Sequence, residues 1–237
     1  MRLSMVRSYG VGPGLVEGPK SMFSVIMAAF LAGIWLTMAD PTPAQAQTSP
    51  IKMAVLGDSL TAGYGLPASA AFPIRLQKAL KDKGIDTDIV NAGVSGDTTS
   101  GGRDRVDWSI PDGTEAVIVE LGANDALRGI DPKVTRASLD DIIRKLKARN
   151  IAVMLAGMYA PRNFGPEYAA AFDAIYPDLA KAWNIPLYPF FLDGVASEAK
   201  LNQPDGIHPT AEGVDVIVTR ILPSVEAFLA ARGEQRK

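Results

Sequence analysis

Short apolar runs rich in β-branched residues alternate with helix-like segments from Ile51 almost to the end of the chain. The runs occupy 51–56, 86–90, 116–121, 151–156 and 185–190. Continuous apolar runs of this length are typical of strands buried on both faces of a parallel sheet. Right-handed crossovers between such strands predict a three-layer α/β/α sandwich, with the flavodoxin-like strand order 2-1-3-4-5.

Four of the intervening segments carry apolar residues at helical spacing. These positions are Phe72, Ile74, Leu76 and Leu80; Leu139, Ile142, Ile143 and Leu146; Tyr168, Phe172, Ile175 and Leu179; and Val214, Ile217, Ile221 and Phe228. Pro166 is expected to open the third helix, and Thr210 is a suitable N-cap for the last.

The first 46 residues have the features of a secretory leader. A charge-free apolar run at 22–39 follows three basic residues and precedes Ala44-Gln45-Ala46, a small-residue pattern suited to signal peptidase. We therefore expect a cleaved signal peptide at 1–46, one domain at 47–231 and a flexible polar tail at 232–237. An uncleaved membrane anchor formed by 22–39 is the alternative.

Composition excludes several classes of function. The formal net charge is −2, so the chain lacks the basic field expected of a nucleic-acid-binding protein. It has no cysteine, which excludes disulfides, thiolate metal sites and a cysteine nucleophile. Its single histidine, His208, is the one candidate for an imidazole base.

Polar and glycine-rich stretches follow the first three predicted strands. They begin at Gly57-Asp58-Ser59, at Asn91-Ala92-Gly93 and at Gly122-Ala123-Asn124. In a 2-1-3 strand order these stretches meet at one crevice beyond the carboxyl ends of the strands, where ligands bind in open parallel sheets. A fourth stretch, Asp205-Gly206-Ile207-His208-Pro209, precedes the last helix.

The four stretches together contain the groups needed for nucleophilic acyl transfer. Asp205 can orient His208, and His208 can then remove the proton of the Ser59 hydroxyl. The backbone N–H groups of Ser59 and Gly93 and the amide of Asn124 are predicted to bind the developing oxyanion. Taken singly, each feature also has a structural explanation: a helix cap, an Asx turn, a tight turn or a surface histidine.

The four blocks resemble those of the SGNH hydrolases, also called GDSL esterases. They read AVLGDSLTAGYG (54–65), NAGVSGDT (91–98), VELGANDALRG (119–129) and DGIHP (205–209). The amino-acid sequence of these blocks is most similar to that of the bacterial thioesterase I, lysophospholipase and arylesterase branch of the family. The resemblance implies catalysis by Ser59, Asp205 and His208, and an acyl pocket bordered by a mobile loop at 127–132.

The predicted function is therefore hydrolysis of carboxylic esters or thioesters through an acyl-enzyme, without metal or cofactor. Asp58, Leu127 and Tyr159 are predicted to contact the substrate. The alternatives are a carbohydrate acetylesterase of the same family and a non-catalytic α/β ligand-binding protein. We expect a periplasmic or secreted monomer or weak oligomer, whose partners are small acyl substrates and not nucleic acid.

Overall fold

Five parallel strands form one sheet in the part of the chain that the computed structural model describes, residues 49–234. The strands are β1 (Ile51–Gly57), β2 (Thr87–Gly93), β3 (Ala116–Glu120), β4 (Ala152–Ala156) and β5 (Leu187–Tyr188). Their order is β2-β1-β3-β4-β5, which confirms the predicted topology. The proposed leader at 1–46, with its apolar run, lies outside the described residues.

Eight α-helices connect and cover these strands within the described range. They are α1 (Ser59–Ala62), α2 (Phe72–Asp82), α3 (Thr99–Ser109), α4 (Ala123–Leu127), α5 (Pro132–Ala148), α6 (Pro166–Asp173), α7 (Ile175–Trp183) and α8 (Ala211–Glu234). Helix α2 packs against α8, whereas α5 packs against both α3 and α7. All five side chains of β3 are buried, as expected for a strand covered on both faces.

Helix α3 is absent from the predicted elements because it buries few apolar residues. Its buried positions are Thr99, Gly102, Arg105 and Val106, so Val106 is the one aliphatic side chain among them. Apolar periodicity therefore could not identify it. Thr98 caps the helix by accepting a hydrogen bond from the Gly101 N–H at 3.2 Å.

Several predicted boundaries differ from the structure. The segment opened by Pro166 forms two helices, α6 and α7, that meet at Ala174, and the fifth strand is reduced to two residues. Ile74 lies on an exposed part of α2. Strand β2 continues past its apolar run to Gly93, because it stays paired with β1 as far as Gly57.

The carboxyl-terminal helix extends further than predicted. Thr210 caps α8 by accepting from the Gly213 N–H at 3.2 Å, as expected. The helix then continues through Glu234, beyond residue 232, where the flexible tail was predicted to begin. Arg232 instead forms a largely buried ion pair with Glu115. Among residues 49–234, no helix combines the length and apolar character needed to cross a bilayer.

Candidate active site

The turn after β1 places Ser59 at the first position of α1. Asp58 is the N-cap, and its side chain accepts a hydrogen bond from the Leu60 N–H at 3.0 Å. Glycine is required at position 57, because a Cβ there would overlap the Thr61 hydroxyl and the Glu120 backbone and carboxyl oxygens. The first N–H groups of a helix have no intrahelical acceptor, so the Ser59 N–H remains available to a substrate.

Ser59, His208 and Asp205 form a continuous hydrogen-bonded series. The Ser59 Oγ lies 2.9 Å from His208 Nε2, and His208 Nδ1 lies 2.7 Å from Asp205 Oδ2. This geometry allows Nδ1–H to donate to the carboxylate, which leaves Nε2 free to accept the serine proton. The structure thus brings together three residues whose positions in the chain are separated by up to 149 residues.

The loop that carries His208 is closed at its base and fastened to the nucleophile segment. An antiparallel bridge joins Asn202 to Pro209, and the Gln203 N–H donates to the His208 carbonyl at 2.7 Å. The Gln203 side chain donates to the Tyr64 carbonyl at 2.8 Å. The Tyr64 ring lies against the imidazole with a centroid distance of 4.5 Å. These contacts hold the imidazole over Ser59. Neither Tyr64 nor Gln203 was among the predicted site residues.

Asp205 is arranged to remain ionised. Its Oδ1 accepts the backbone N–H groups of Ile207 and His208, each at 3.0 Å, while Oδ2 faces the imidazole. The hydrogen bond from the Ile207 N–H, followed by those from the His208 ring and backbone, lowers the pKa of the Asp205 carboxyl to about 2. The carboxylate therefore persists over any pH at which an imidazole base works.

Asn124 faces the same cavity from the start of α4. Its Nδ2 donates to Asp58 Oδ2 at 3.2 Å, and its Oδ1 lies 3.5 Å from Nη2 of Arg128. Since a primary amide has two N–H donors, this arrangement fixes the side chain and leaves one donor for a ligand.

The prediction that Gly93 belongs to the oxyanion hole does not fit the structure. Gly93 is the last residue of β2, outside the cavity wall, and its N–H already donates to Asn91 Oδ1 at 3.0 Å. Gly96 lines the cavity instead, with φ at +83°, and its N–H has no acceptor among the described residues. The available glycine donor is therefore Gly96, three residues beyond the end of the strand.

The prediction that Asp58 contacts the substrate is also inconsistent with its location. Asp58 is fully buried, does not line the cavity, and uses its two oxygens to hold Leu60 and Asn124. Burial raises the pKa of its carboxyl from 3.8 to about 6, against the opposing effect of these hydrogen bonds. Asp58 can affect a bound substrate through Asn124, which it orients.

A second buried acid, Glu120, lies beneath the nucleophile turn. Its side chain is fully buried, and the polar group that faces its carboxyl is the backbone N–H of Asp58, outside good hydrogen-bond geometry. Burial, reinforced by the charge of Asp58, raises the pKa of Glu120 well above its ordinary value of 4.5. The folded protein therefore holds Glu120 as the neutral acid at pH values where the unfolded chain would ionise it.

This difference predicts a pH-dependent stability that a Glu120→Gln substitution removes. Between pH 4.5 and the raised pKa of Glu120 the folded state binds more protons than the unfolded state, so the free energy of unfolding falls as pH rises across this interval. One such proton contributes a slope of about 1.4 kcal/mol per pH unit. Glutamine is neutral in both states, so denaturant unfolding of the variant above pH 6 should give a flatter profile.

The choice of pH range and a control variant separate the titration of Glu120 from the titration of Asp58 and from the burial of the new amide. Asp58 contributes a slope of the same sign, but that slope ends near its folded pKa of about 6. Burial of the new amide adds an offset that does not vary with pH. The exposed Glu167, changed in the same way, should keep the wild-type slope. Parallel profiles for the Glu120→Gln and wild-type proteins would contradict the assignment of a neutral Glu120.

A cavity of about 710 Å³ opens above Ser59, Asn124 and His208. Its wall is mainly apolar beyond these groups and includes Leu127, Met158, Tyr159, Phe190 and Ile207. Leu127 and Tyr159, both predicted to contact substrate, are about half exposed here, and the Tyr159 ring stacks on Phe190 at 4.7 Å. The cavity can accommodate an acyl or aryl group with its carbonyl next to Ser59.

The segment 127–132, predicted to be a mobile loop, has several fixed contacts in this structure. Arg128 donates to the Gly96 carbonyl at 2.9 Å, and the Tyr168 hydroxyl donates to the Ile130 carbonyl at 2.9 Å. Asp131 caps α5 by accepting from the Lys133 N–H at 2.9 Å. The mobility of the segment 127–132 remains a prediction.

Comparison with known proteins identifies similar sequences and structures. The model of the GDSL-like lipase/acylhydrolase family matches residues 55–216. The chain is 36% identical to esterase TesA of Pseudomonas aeruginosa over 209 residues, which are 88% of this chain and all of that protein. It is 43% identical to thioesterase 1/protease 1/lysophospholipase L1 of Escherichia coli K12 over 159 residues, 67% of this chain and 75% of that one.

A solved structure with a similar fold is that of AlinE4, described as an SGNH-hydrolase family esterase. Its TM-score is 0.65 at 44% identity, and the match covers 76% of this chain and 96% of that one. The family match includes the last three sequence blocks in full and the first block from Val55 onward.

Proposed function

The chain belongs to the GDSL-like lipase/acylhydrolase family of SGNH hydrolases, and we propose that it cleaves carboxylic esters and thioesters through an acyl-enzyme on Ser59. Family membership makes it a carboxylic ester hydrolase, and the roles of individual residues are our proposal. The main support for these roles is the distance of 2.9 Å between Ser59 Oγ and Nε2 of the single imidazole, which Asp205 orients.

Acylation begins when Ser59 Oγ attacks the ester carbonyl carbon and its proton passes to His208 Nε2. The carbonyl oxygen becomes an oxyanion, which the N–H groups of Ser59 and Gly96 and the Asn124 amide stabilise by hydrogen bonds. Asp205 stays ionised and stabilises the imidazolium. The imidazolium then protonates the leaving alcohol or thiol as the carbon–oxygen or carbon–sulfur bond breaks.

Deacylation repeats these steps with water as the nucleophile. His208 removes a proton from water, the hydroxide attacks the acyl carbonyl, and the second tetrahedral oxyanion occupies the same three donors. Collapse of this intermediate releases the carboxylic acid and returns the proton to Ser59. In total, one ester or thioester and one water yield one carboxylic acid and one alcohol or thiol.

The apolar cavity wall favours acyl or aryl groups over sugars as the part of the substrate bound beside Ser59. Leu127, Met158 and Tyr159 offer hydrophobic surface to such a group. The names of the relatives, esterase and thioesterase/lysophospholipase, are consistent with this substrate class. A panel of p-nitrophenyl esters of increasing chain length, acyl-coenzyme A, a lysophospholipid and acetylated sugar tests it.

We expect the turnover of this panel to be greatest for the acyl and aryl esters. Preferential hydrolysis of acetylated sugar would favour the acetylesterase alternative instead. Absence of turnover for every ester and thioester would contradict the proposal as a whole, and would leave the non-catalytic binding protein as the better explanation of the cavity.

We also propose that residues 1–46 form a leader removed during export to the periplasm or beyond. The support is the charge-free run at 22–39 followed by Ala44-Gln45-Ala46. The mass of the protein recovered from an exporting bacterial host tests the cleavage, since removal at Ala46 leaves a chain that begins at Gln47. Recovery of the full-length chain in the membrane fraction would favour the anchor.

A further inference from the structure

A buried arginine on α3, Arg105, lies beneath the two loops that carry the backbone donors of the site. Its side chain is 7% exposed, and it does not line the cavity. The proposed mechanism assigns it no role, and α3 itself was not apparent from the apolar pattern. A buried guanidinium is costly unless it is paired and hydrogen-bonded, so the partners of Arg105 indicate what it stabilises.

Three hydrogen bonds connect Arg105 to three separate segments. Its Nη2 donates to the Gly57 carbonyl at 2.9 Å, and its Nη1 donates to the Ala92 carbonyl at 2.7 Å. Its Nε donates to Asp97 Oδ2 at 2.6 Å, in an ion pair whose carboxylate is 16% exposed. One rigid group thus joins the ends of β1 and β2 to the loop beyond β2.

The positions of these partners relate Arg105 to the oxyanion hole. Gly57 lies two residues before Ser59, and Asp97 directly follows Gly96. The Gly57 carbonyl also accepts the Val94 N–H at 3.1 Å, so the nucleophile turn and the Gly96 loop already touch at this point. Movement of either loop relative to the other would break a charge-assisted hydrogen bond to Arg105.

We propose that Arg105 is a positioning residue that fixes the N–H of Ser59 relative to the N–H of Gly96, the two backbone donors of the oxyanion hole. This inference rests on the proposed function. The planar guanidinium suits the task because its N–H groups point in fixed directions toward separate acceptors. A lysine ammonium at the same position has one nitrogen and cannot reach three acceptors in this geometry.

The test compares Arg105→Lys with Arg103→Lys, which makes the same change two residues away on α3. Arg103 is partly exposed and pairs with Asp104, its exposed neighbour, at 2.8 Å. For each purified protein, kcat and KM for a p-nitrophenyl ester, the affinity for a trifluoromethyl ketone and the thermal unfolding midpoint are measured. The ketone forms a tetrahedral adduct with a nucleophilic serine and therefore reports on the oxyanion donors.

We expect Arg105→Lys to lower kcat by about tenfold to a hundredfold, the range expected for misplaced catalytic groups. KM should change little, because ground-state binding depends on the apolar wall, whereas affinity for the ketone should fall in parallel with kcat. Arg103→Lys should match the wild type in all three values. In an Arg105→Ala protein, millimolar guanidinium ion should restore part of kcat.

A purely structural role predicts a different result. If Arg105→Lys lowers the unfolding midpoint but the folded enzyme keeps its wild-type kcat and ketone affinity, the inference is wrong. If that variant does not fold, the Asp97→Asn protein tests the inference, because it removes the charge paired with Arg105 and keeps a hydrogen-bond acceptor. We expect its kcat to be severalfold lower at constant KM. A wild-type kcat in this variant overturns the inference. Lack of ester turnover by the wild-type protein would contradict the proposed function itself.

Discussion

A Ser59→Ala protein is expected to fold normally and to lose at least about 10³-fold of its ester turnover, the scale seen when a serine hydrolase loses its nucleophile. The substitution removes one hydroxyl, which is hydrogen-bonded to His208, so packing is little disturbed. The same change should abolish covalent labelling by a fluorophosphonate, which reacts with activated serines. Kinetics with a p-nitrophenyl ester and mass spectrometry of the labelled protein measure the two effects.

The control for this experiment is Ser224→Ala on α8. Ser224 lies outside the cavity wall, so its variant should retain both turnover and labelling. Labelling of the Ser59→Ala protein at the wild-type level would show that another residue is the nucleophile. Unfolding curves of the two variants should be nearly superimposable with that of the wild type, which separates a loss of chemistry from a loss of structure.

Removal of the imidazole in His208→Ala should have an effect of similar size, about 10³-fold or more on kcat. No other histidine exists in the chain to replace it as base. The Ser59 hydroxyl then keeps its ordinary, very low acidity, so the residual rate should rise as pH increases and hydroxide replaces the base. Because the ring lies beside an open cavity, added imidazole should restore part of the activity.

Asp205→Asn provides the matched comparison for this variant. The two backbone N–H groups that Asp205 Oδ1 accepts should hold the asparagine oxygen, so the amide nitrogen faces Nδ1 of His208 and favours the tautomer with its proton on Nε2. The charge that stabilises the imidazolium is also lost. Its kcat should therefore lie between those of the wild type and His208→Ala. Turnover by the His208→Ala protein at the wild-type rate would exclude His208 as the general base. Equal rates for His208→Ala and Asp205→Asn would show that the imidazole acts only with a charged partner.

Most of the fold could be predicted because burial on both faces leaves a clear pattern in the chain. The apolar runs beginning at Ile51, Ala116 and Ile151 indicate parallel strands, and such strands carry their loops to one end of the sheet. The convergence of Ser59, Asn124 and His208 follows from this topology. Helix α3 could not be predicted in the same way, because its buried face consists mainly of threonine, glycine and arginine.

The amino-acid sequence by itself determined the sheet order and the end of the sheet at which the polar loops meet, and it singled out the serine, imidazole and carboxylate that are hydrogen-bonded there. These depend on apolar periodicity, on the single histidine of the chain and on the positions of the serine and the aspartate next to predicted strand ends and to that histidine. Only the tertiary structure decided that Gly96 rather than Gly93 lines the cavity, that Asp58 is buried outside the cavity wall, and that Arg105 joins the ends of β1 and β2 to the loop beyond β2. The physical reason is that pairing between β1 and β2, and the burial of polar groups, depend on contacts between distant segments, which local patterns do not record.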